Sequence, residues 1–236
     1  MWFSCGAASA VAAKKTIEKY GKYHKILIVN NPVVNEHIDN RRFLKDVEKW
    51  IGKKIIYAKA KKYPSMNIVD VFLARKYISG NAGAPCTVEL KKQARYEFEL
   101  THDIAFHVLG FTADEFSRHE NFTKFERSNV IPVLIKEGIT KADCFTILKI
   151  AGIDIPVMYK LGYPNANCIG CVKASSPTYW NQIRKDFPKI FDLMCKLSRK
   201  IGCKLVRVKG KRIYLDELKE TDKSRKMKSW ECSIFC

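Results

Sequence analysis

Short apolar runs alternate with amphipathic segments along most of the chain. Residues 25–30, 54–58 and 104–111 are runs rich in β-branched or aromatic residues, and they predict buried strands. A further short apolar run covers residues 130–135. Apolar residues at helical spacing predict helices over residues 9–20, 41–50, 68–77, 88–100, 115–127 and 141–152.

This alternation is typical of an α/β protein. We expect a three-layer α/β/α, Rossmann-like fold in which a mostly parallel, twisted sheet has helices on both faces. The sequence predicts two parts, an α/β domain over residues 1–203 and a basic hairpin with a cysteine-containing tail over residues 204–236. The hairpin turns at Lys209-Gly210. The last six residues, ECSIFC, are apolar, so we expect them to dock near the active site.

The chain opens with an apolar segment that passes at once through small residues, SCGAAS at 4–9, into the first predicted helix. A turn of this kind points backbone N–H groups away from a helix N-terminus, and such groups suit a phosphate or another anion. An ordinary strand–helix turn is the alternative interpretation. In parallel sheets ligands bind beyond the carboxyl ends of the strands, and the opening turn lies at one of those ends.

The chain is strongly basic. It has 43 Lys and Arg against 24 Asp and Glu, for a net charge of +19 over 236 residues. This charge favours polyanionic partners, namely nucleic acid, nucleotides or an anionic membrane surface, and solubility is the alternative explanation. No apolar run reaches the about 18 residues of a membrane-spanning helix, and the N-terminus lacks the pattern of a signal peptide. We therefore expect a cytoplasmic protein without a membrane partner.

The chain contains nine cysteines, and the sequence around them indicates different roles. Cys168 and Cys171 form a CxxC in a stretch rich in Gly, Pro and Asn, a spacing suited to a shared metal ion, a cluster or a redox pair. Cys86, Cys232 and Cys236 are further candidates to meet this pair in space. We expect simple buried thiols at Cys144, Cys195 and Cys203, which lie in or beside predicted helices.

Five stretches of the chain resemble the phosphoadenosine-phosphosulfate (PAPS) reductase family, within the PP-loop ATP pyrophosphatase superfamily. They are SCGAASAV (4–11), GAPCTVELKK (83–92), LGFTADEFSRH (109–119), the long stretch 131–171 that ends in the CxxC, and WECSIF (230–235). The resemblance implies that Ser4, Cys5, Gly6, Ala7, Ala8 and Ser9 cradle a phosphate or sulfate of an adenine nucleotide (PAPS, adenylyl sulfate or ATP). It also implies that Lys91, Lys92 and Arg118 add positive charge around that site.

The chain departs from the family pattern in three places. Ala8 stands where ATP-cleaving members carry Asp, which fits reductase-type loops better. In the terminal motif Ser233 replaces Gly and Phe235 replaces His, although Cys232 remains. Cys86-Thr87 stands where the iron–sulfur branch has a Cys-Cys pair, so one of four ligands is missing.

The resemblance implies, first, a PAPS reductase-like oxidoreductase of sulfur metabolism. Cys232 would attack the sulfur of the bound nucleotide as a thiolate, and a thiol donor such as thioredoxin would release sulfite.

A second hypothesis is a sulfurtransferase in which Cys86, Cys168 and Cys171 hold a 4Fe–4S cluster, with Cys232 or Cys236 as a further ligand. A three-ligand cluster beside a PP-loop resembles the tRNA-thiolating enzymes, and this resemblance implies that ATP would activate a base oxygen of tRNA or DNA and that sulfur would replace it. The net charge of the chain suits a nucleic acid substrate.

A third hypothesis is a non-catalytic nucleotide- or nucleic-acid-binding protein in which the CxxC (Cys168 and Cys171) and the terminal cysteines (Cys232 and Cys236) hold structural zinc.

Overall fold

A computed structural model describes residues 1–81 and 83–224. The helices are α1 (Ala7–Tyr20), α2 (Asp39–Ile51), α3 (Ile68–Arg75), α4 (Pro85–Thr87), α5 (Gln93–Glu99), α6 (Phe116–Phe125), α7 (Val133–Lys136), α8 (Lys141–Ile150), α9 (Val157–Lys160), α10 (Pro177–Asp186) and α11 (Pro188–Ile201). A π-helical segment, Val88–Lys92, joins α4 to α5, and short 3₁₀ turns cover Ala113–Glu115 and Leu215–Glu217. The strands are β1 (Ile28–Asn30), β2 (Ile55–Tyr57), β3 (His107–Val108), β4 (Val130–Ile131), β5 (Val206–Val208) and β6 (Lys211–Ile213).

Parallel pairing dominates the first part of the fold. β1 pairs with β2 and β3 pairs with β4, both in parallel. The amino-terminal segment lies between these two pairs, because Phe3 N–H donates to Val29 O at 2.7 Å and Trp2 N–H donates to Val108 O at 3.0 Å. The spatial order is therefore β2, β1, the amino-terminal segment, β3 and β4. The order along the chain reverses between the amino-terminal segment and β3.

Neighbouring strand residues point into two different apolar clusters. Phe3 and Ile28 pack with residues of α1, α2 and α8. Trp2 and Val29 pack instead with a second cluster that includes Phe98 of α5 and Phe122 of α6. Since side chains alternate across a strand, these neighbouring residues face opposite sides of the strands, in a fold of mixed helices and small parallel sheets.

A third and larger cluster lies around α10 and α11. Trp180, the largest fully buried side chain, packs there with residues of α3, α11 and the 205–218 segment. The β5–β6 hairpin is antiparallel and turns at Lys209-Gly210, as the sequence predicted. Cys168 and Cys171 are buried in the same cluster.

Most predicted elements are confirmed, with shifted ends. Helix α1 begins two residues earlier than predicted, and the strands are shorter. The apolar run 130–135 divides, since β4 ends at Ile131 and α7 begins at Val133. Pro132 lies between them, and its missing N–H and fixed φ end the strand pairing there. Within the described ranges, no helix is both long enough and apolar enough to cross a bilayer.

Candidate functional site

The loop at residues 4–9 is folded around one hydroxyl group. Ser9 Oγ accepts hydrogen bonds from Ser4 N–H and Gly6 N–H, both at 3.2 Å, and donates to Gly6 O at 2.8 Å. Ser4 Oγ also lies 3.2 Å from Ser9 Oγ. Ser9 is buried and Ser4 is exposed. The Ser9 hydroxyl therefore lies inside the loop and holds it together by these hydrogen bonds, whereas the Ser4 hydroxyl lies at the surface.

Cys5 faces away from the exposed side of this loop. Its φ of 57° lies in the left-handed region, which few non-glycine residues adopt, so the loop holds a strained backbone here. The side chain is 3% exposed, and Asn30 Nδ2 lies 3.6 Å from its sulfur. Burial raises the pKa of the Cys5 thiol well above its usual range, and the nearby Glu36 carboxyl raises it further. Cys5 is thus a neutral thiol behind the loop.

Gly110, two residues after the end of β3, approaches the start of α1 very closely. A Cβ at this position would lie 2.8 Å from Ser9 N and 3.0 Å from Ala8 C. Distances this short to backbone atoms explain why glycine stands here. On another side of the loop, Ala7 N–H donates to Tyr159 Oη at 3.4 Å. The loop is held between the carboxyl end of β3 and helix α9.

A small cavity of about 70 Å³ opens at this point. The loop residues Ser4, Gly6, Ala8 and Ser9 line it together with Gly110. It lies where the order of the parallel strands reverses, which is where open α/β sheets bind their ligands. The first N–H groups of α1 have no partner within the helix, so this end carries partial positive charge.

Two cationic side chains line the same cavity, Arg118 from α6 and Lys141 from α8. Arg118 lies over the Phe111 ring, 5.2 Å from its centroid, and also pairs with Glu115. Lys141 Nζ donates to Pro164 O and to Asn165 Oδ1, both at 2.8 Å. These bonds use two of the three ammonium hydrogens and hold the charge in place. The cavity therefore combines a helix N-terminus with two fixed cations.

Lys91 and Lys92 take different positions from Arg118, and neither is among the described residues that line the cavity. Lys91 is buried, and its Nζ lies 3.8 Å from Glu36 Oε1. Burial raises the pKa of Glu36, while the Lys91 charge opposes that shift. Lys92 Nζ pairs with Glu126 at 3.0 Å on the surface. Lys91 thus lies on the Cys5 side of the loop rather than on its exposed side.

Glu36, which lies near Cys5, connects the CxxC segment to the loop region. Cys168 forms an antiparallel backbone bridge with Glu36. Cys171 N–H donates to the buried Tyr179 Oη at 2.8 Å, and Cys86 packs at the edge of the same apolar cluster. Within residues 1–81 and 83–224, no three His, Cys, Asp or Glu side chains are grouped so that they could hold a metal ion. The predicted site residues Cys232 and Cys236 lie outside the described residues.

Among the other cysteines, Cys144 is buried, whereas Cys195 and Cys203 are half-buried against the large cluster. Burial raises the pKa of Cys144 to about 12 and that of Cys195 to about 11. Cys203 packs against the large cluster and donates to Ser79 O. The interpretation of Cys144 and Cys195 as inert packing residues is consistent with these environments.

A larger cavity, about 670 Å³, lies at the opposite end of the strands. It is lined by residues 24–27 and 101–106, which precede β1 and β3, and by Trp2 and Phe98. His107 lies at its wall, where burial and the nearby Arg127 lower its pKa to about 3. The volume of this larger cavity falls in the range of about 300–1,000 Å³ that is typical of small-molecule sites. The small cavity at the loop would enclose only part of such a ligand.

Sequence reasoning missed several residues of the loop cavity. Lys141, Tyr159 and Asn165 line it, and although they lie within the stretch 131–171 that resembles the reductases, they were not singled out. Lys141 stands at the first position of a helix, where a cation is unfavourable beside the helix dipole, and this is the signal that could have found it. Gly110 belongs to the stretch 109–119 that resembles the reductases, but its close approach to Ser9 required the structure.

Comparison with known proteins adds no relative. No family model, no curated protein and no solved structure matches the chain.

Proposed function

We propose that the protein binds an adenine nucleotide through a phosphate or sulfate group held at the loop of residues 4–9. One observation carries this proposal, the convergence of the α1 N-terminus with Arg118 and Lys141 on one cavity. Backbone N–H groups and fixed cations are the chemistry that binds such an anion. The cavity is small, so it would take the anionic group while the rest of the nucleotide lies along its rim.

The proposed fold is the three-layer α/β/α arrangement of PP-loop proteins. Its support is the parallel pairing of β1 with β2 and of β3 with β4, and the two apolar clusters that receive alternate strand side chains. The reversal of strand order beside Ser4 and Gly110 supports a nucleotide site at the carboxyl end.

The proposed reaction is the reductive cleavage of a nucleotide-bound sulfate, as the resemblance to PAPS reductases implies. The Cys232 thiolate would attack the sulfur, forming a sulfur–sulfur bond while the sulfur–oxygen bond to the nucleotide breaks. A thiol donor such as thioredoxin would then attack the Cys232 sulfur and displace sulfite, and its second thiol would complete a disulfide. In this proposal the buried Cys5 plays no part as a nucleophile, because burial keeps its thiol protonated.

An iron–sulfur cluster or zinc ion stays a prediction for Cys86, Cys168 and Cys171. The three side chains belong to one apolar cluster or its edge, yet the described residues do not provide a complete ligand group. We therefore derive no step through a metal. The second candidate function, sulfur transfer to tRNA or DNA, is favoured by one observation. The β5–β6 hairpin carries the exposed Arg207 and Arg212, and Arg207 N–H donates at 2.9 Å to the carbonyl of Ser175, four residues beyond Cys171.

Nucleotide binding tests the proposal. We would titrate the full chain with phosphoadenosine phosphate, adenylate and ATP by calorimetry, and compare Arg118→Gln with the control Lys124→Gln. Both residues lie on α6, but only Arg118 lines the cavity. A charged hydrogen bond contributes about 1.5–3 kcal/mol, so Arg118→Gln should bind roughly 10- to 100-fold more weakly. Equal affinity of the two variants, or no binding of any of the three nucleotides, would contradict the proposal.

A second assay tests the chemistry separately. The chain is incubated with phosphoadenylyl sulfate and a dithiol, and sulfite is measured. Release of sulfite by the natural chain and its loss in Cys232→Ser are expected. Nucleotide binding without sulfite release would retain the nucleotide site and reject the reductase reaction.

A further inference from the structure

The segment from Lys196 to Arg212 is the most one-sided stretch of charge in the chain. It contains eight Lys and Arg residues and no Asp or Glu. All eight side chains belong to exposed residues. Three of them lie on α11, three on the β5–β6 strands, and the others at Lys204 and at the hairpin turn.

The register of the hairpin brings like charges together. Arg207 and Arg212 are directly opposite each other in the β5–β6 ladder, and Lys211 is opposite Val208. Like charges in directly opposed positions destabilise a strand pair. Lys209 adds a further charge at the turn, in the left-handed region with φ 45°. We refer to this hairpin, residues 206–213, as the basic ribbon. An anionic partner would relieve the repulsion that its register creates.

Most charges of the segment from Lys196 to Arg212, and all those of the basic ribbon, have no carboxylate partner within the described part of the chain. Of the eight cations, only Arg199 forms an ion pair there, with Asp216 at 2.9 Å and Glu217 at 2.8 Å. Arg212 donates to the Lys204 carbonyl at 3.2 Å, a hydrogen bond that leaves its charge uncompensated. Seven cations therefore face solvent without a carboxylate partner among the described residues.

The basic ribbon also lies next to the segment that follows the CxxC. Arg207 N–H donates to Ser175 O at 2.9 Å, and Ser175 is four residues beyond Cys171. β5 also packs against α10, which carries the Tyr179 hydroxyl that binds Cys171 N–H. A long anion lying on the basic ribbon would extend towards the cysteine segment.

We propose that the basic ribbon, with the adjoining Lys204, is a docking surface for the phosphate backbone of a nucleic acid. The tip of the hairpin is Lys209-Gly210, which offers no apolar side chain for insertion into a lipid surface. A nucleic acid instead presents closely spaced phosphates, and these can pair with the directly opposed Arg207 and Arg212. This inference goes beyond the proposed nucleotide site, since Arg207 and Arg212 are not among the residues that line that cavity.

Binding of a fluorescent RNA duplex and of the matching DNA duplex to the full chain tests this inference. The variant is Arg207→Glu, which places a carboxylate opposite Arg212 and keeps the Arg212 bond to Lys204 O. The control is Lys45→Glu, an equal change of charge at an exposed position on α2. Affinity is measured over a salt series from about 50 to 200 mM.

We expect Arg207→Glu to bind at least one of the duplexes about tenfold more weakly than Lys45→Glu. The slope of log affinity against log salt should fall by about 1 for each phosphate that the variant no longer binds. The thermal midpoint of Arg207→Glu should equal or exceed that of the natural chain, since a repulsive pair becomes attractive. This stability readout separates weaker binding from failure to fold.

Three results would overturn the inference. They are equal weakening by Arg207→Glu and Lys45→Glu, no binding of either duplex by the natural chain, or Arg207-dependent binding only to vesicles containing phosphatidylserine. The nucleotide titration with Arg118→Gln is independent of these results, so either proposal can fail alone.

Discussion

Replacing Gly110 with alanine perturbs the candidate site through a single methyl group. The added Cβ would lie 2.8 Å from Ser9 N and 3.0 Å from both Ala8 C and Ser9 Cα. These are backbone atoms at the start of α1, so the loop or the end of β3 must move. Overpacking of this kind costs about 1–3 kcal/mol. For a chain of this size the thermal midpoint should fall by roughly 2–12 °C.

The same displacement should weaken nucleotide binding, because the N–H groups of the first turn of α1 shift from their positions. We expect Gly110→Ala to bind phosphoadenosine phosphate about tenfold more weakly, equivalent to about 1.4 kcal/mol. The matched control is Gly52→Ala. Gly52 has a φ of 65° and open space at its Cβ, so this change costs about 1–2 kcal/mol through the backbone alone. Calorimetric titration and thermal unfolding are run on both variants. Equal nucleotide affinity in the two variants would refute the assignment of the anion site to this loop.

Three further predictions concern stability. Folding lowers the pKa of His107 from 6.5 to about 3, so the unfolded chain binds more protons than the folded chain at low pH. The free energy of unfolding should therefore fall as the pH drops below about 6.5, by about 2 kcal/mol at pH 5. Urea unfolding at pH 8 and pH 5 checks this, and an unchanged pH dependence in His107→Gln would contradict it. Tyr179→Phe removes the hydroxyl that accepts from Cys171 N–H and should cost about 1–3 kcal/mol in urea unfolding; a loss below about 0.5 kcal/mol would show that this bond contributes little. Arg42→Ala removes bonds to two carboxylates and two backbone carbonyls and should lower stability by more than Lys45→Ala on the same helix, as measured by thermal unfolding.

The elements with strong local signals could be predicted from the sequence. Helix α2 has a wide apolar face with Phe43, Leu44 and Val47, and its prediction is confirmed within two residues at each end. The hairpin turn at Lys209-Gly210 is likewise confirmed. Strand lengths could not be predicted, because they depend on which neighbours supply hydrogen bonds. Only two residues form β3, although the apolar run around it is eight residues long.

The candidate site could be predicted only in part. The loop of residues 4–9 was visible as a strand–helix turn of small residues, and Arg118 lies at its cavity. The placement of Lys91 could not be read from the sequence, since it depends on a buried carboxylate, Glu36, more than 50 residues away. Lys141 depends in the same way on the 164–165 turn that binds its ammonium group.

Backbone amide NMR during a titration with adenylate tests the central claim most directly, with adenosine as the control ligand. The amide signals distinguish the two cavities, because Gly6 and Ala8 line the small cavity and residues 101–106 line the large one. The account predicts that adenylate shifts the amide signals of Gly6, Ala7 and Ala8, and that adenosine, which lacks the phosphate, leaves them nearly unchanged. Shifts confined to residues 101–106, or equal responses to both ligands at the loop, would contradict a phosphate site at the N-terminus of α1.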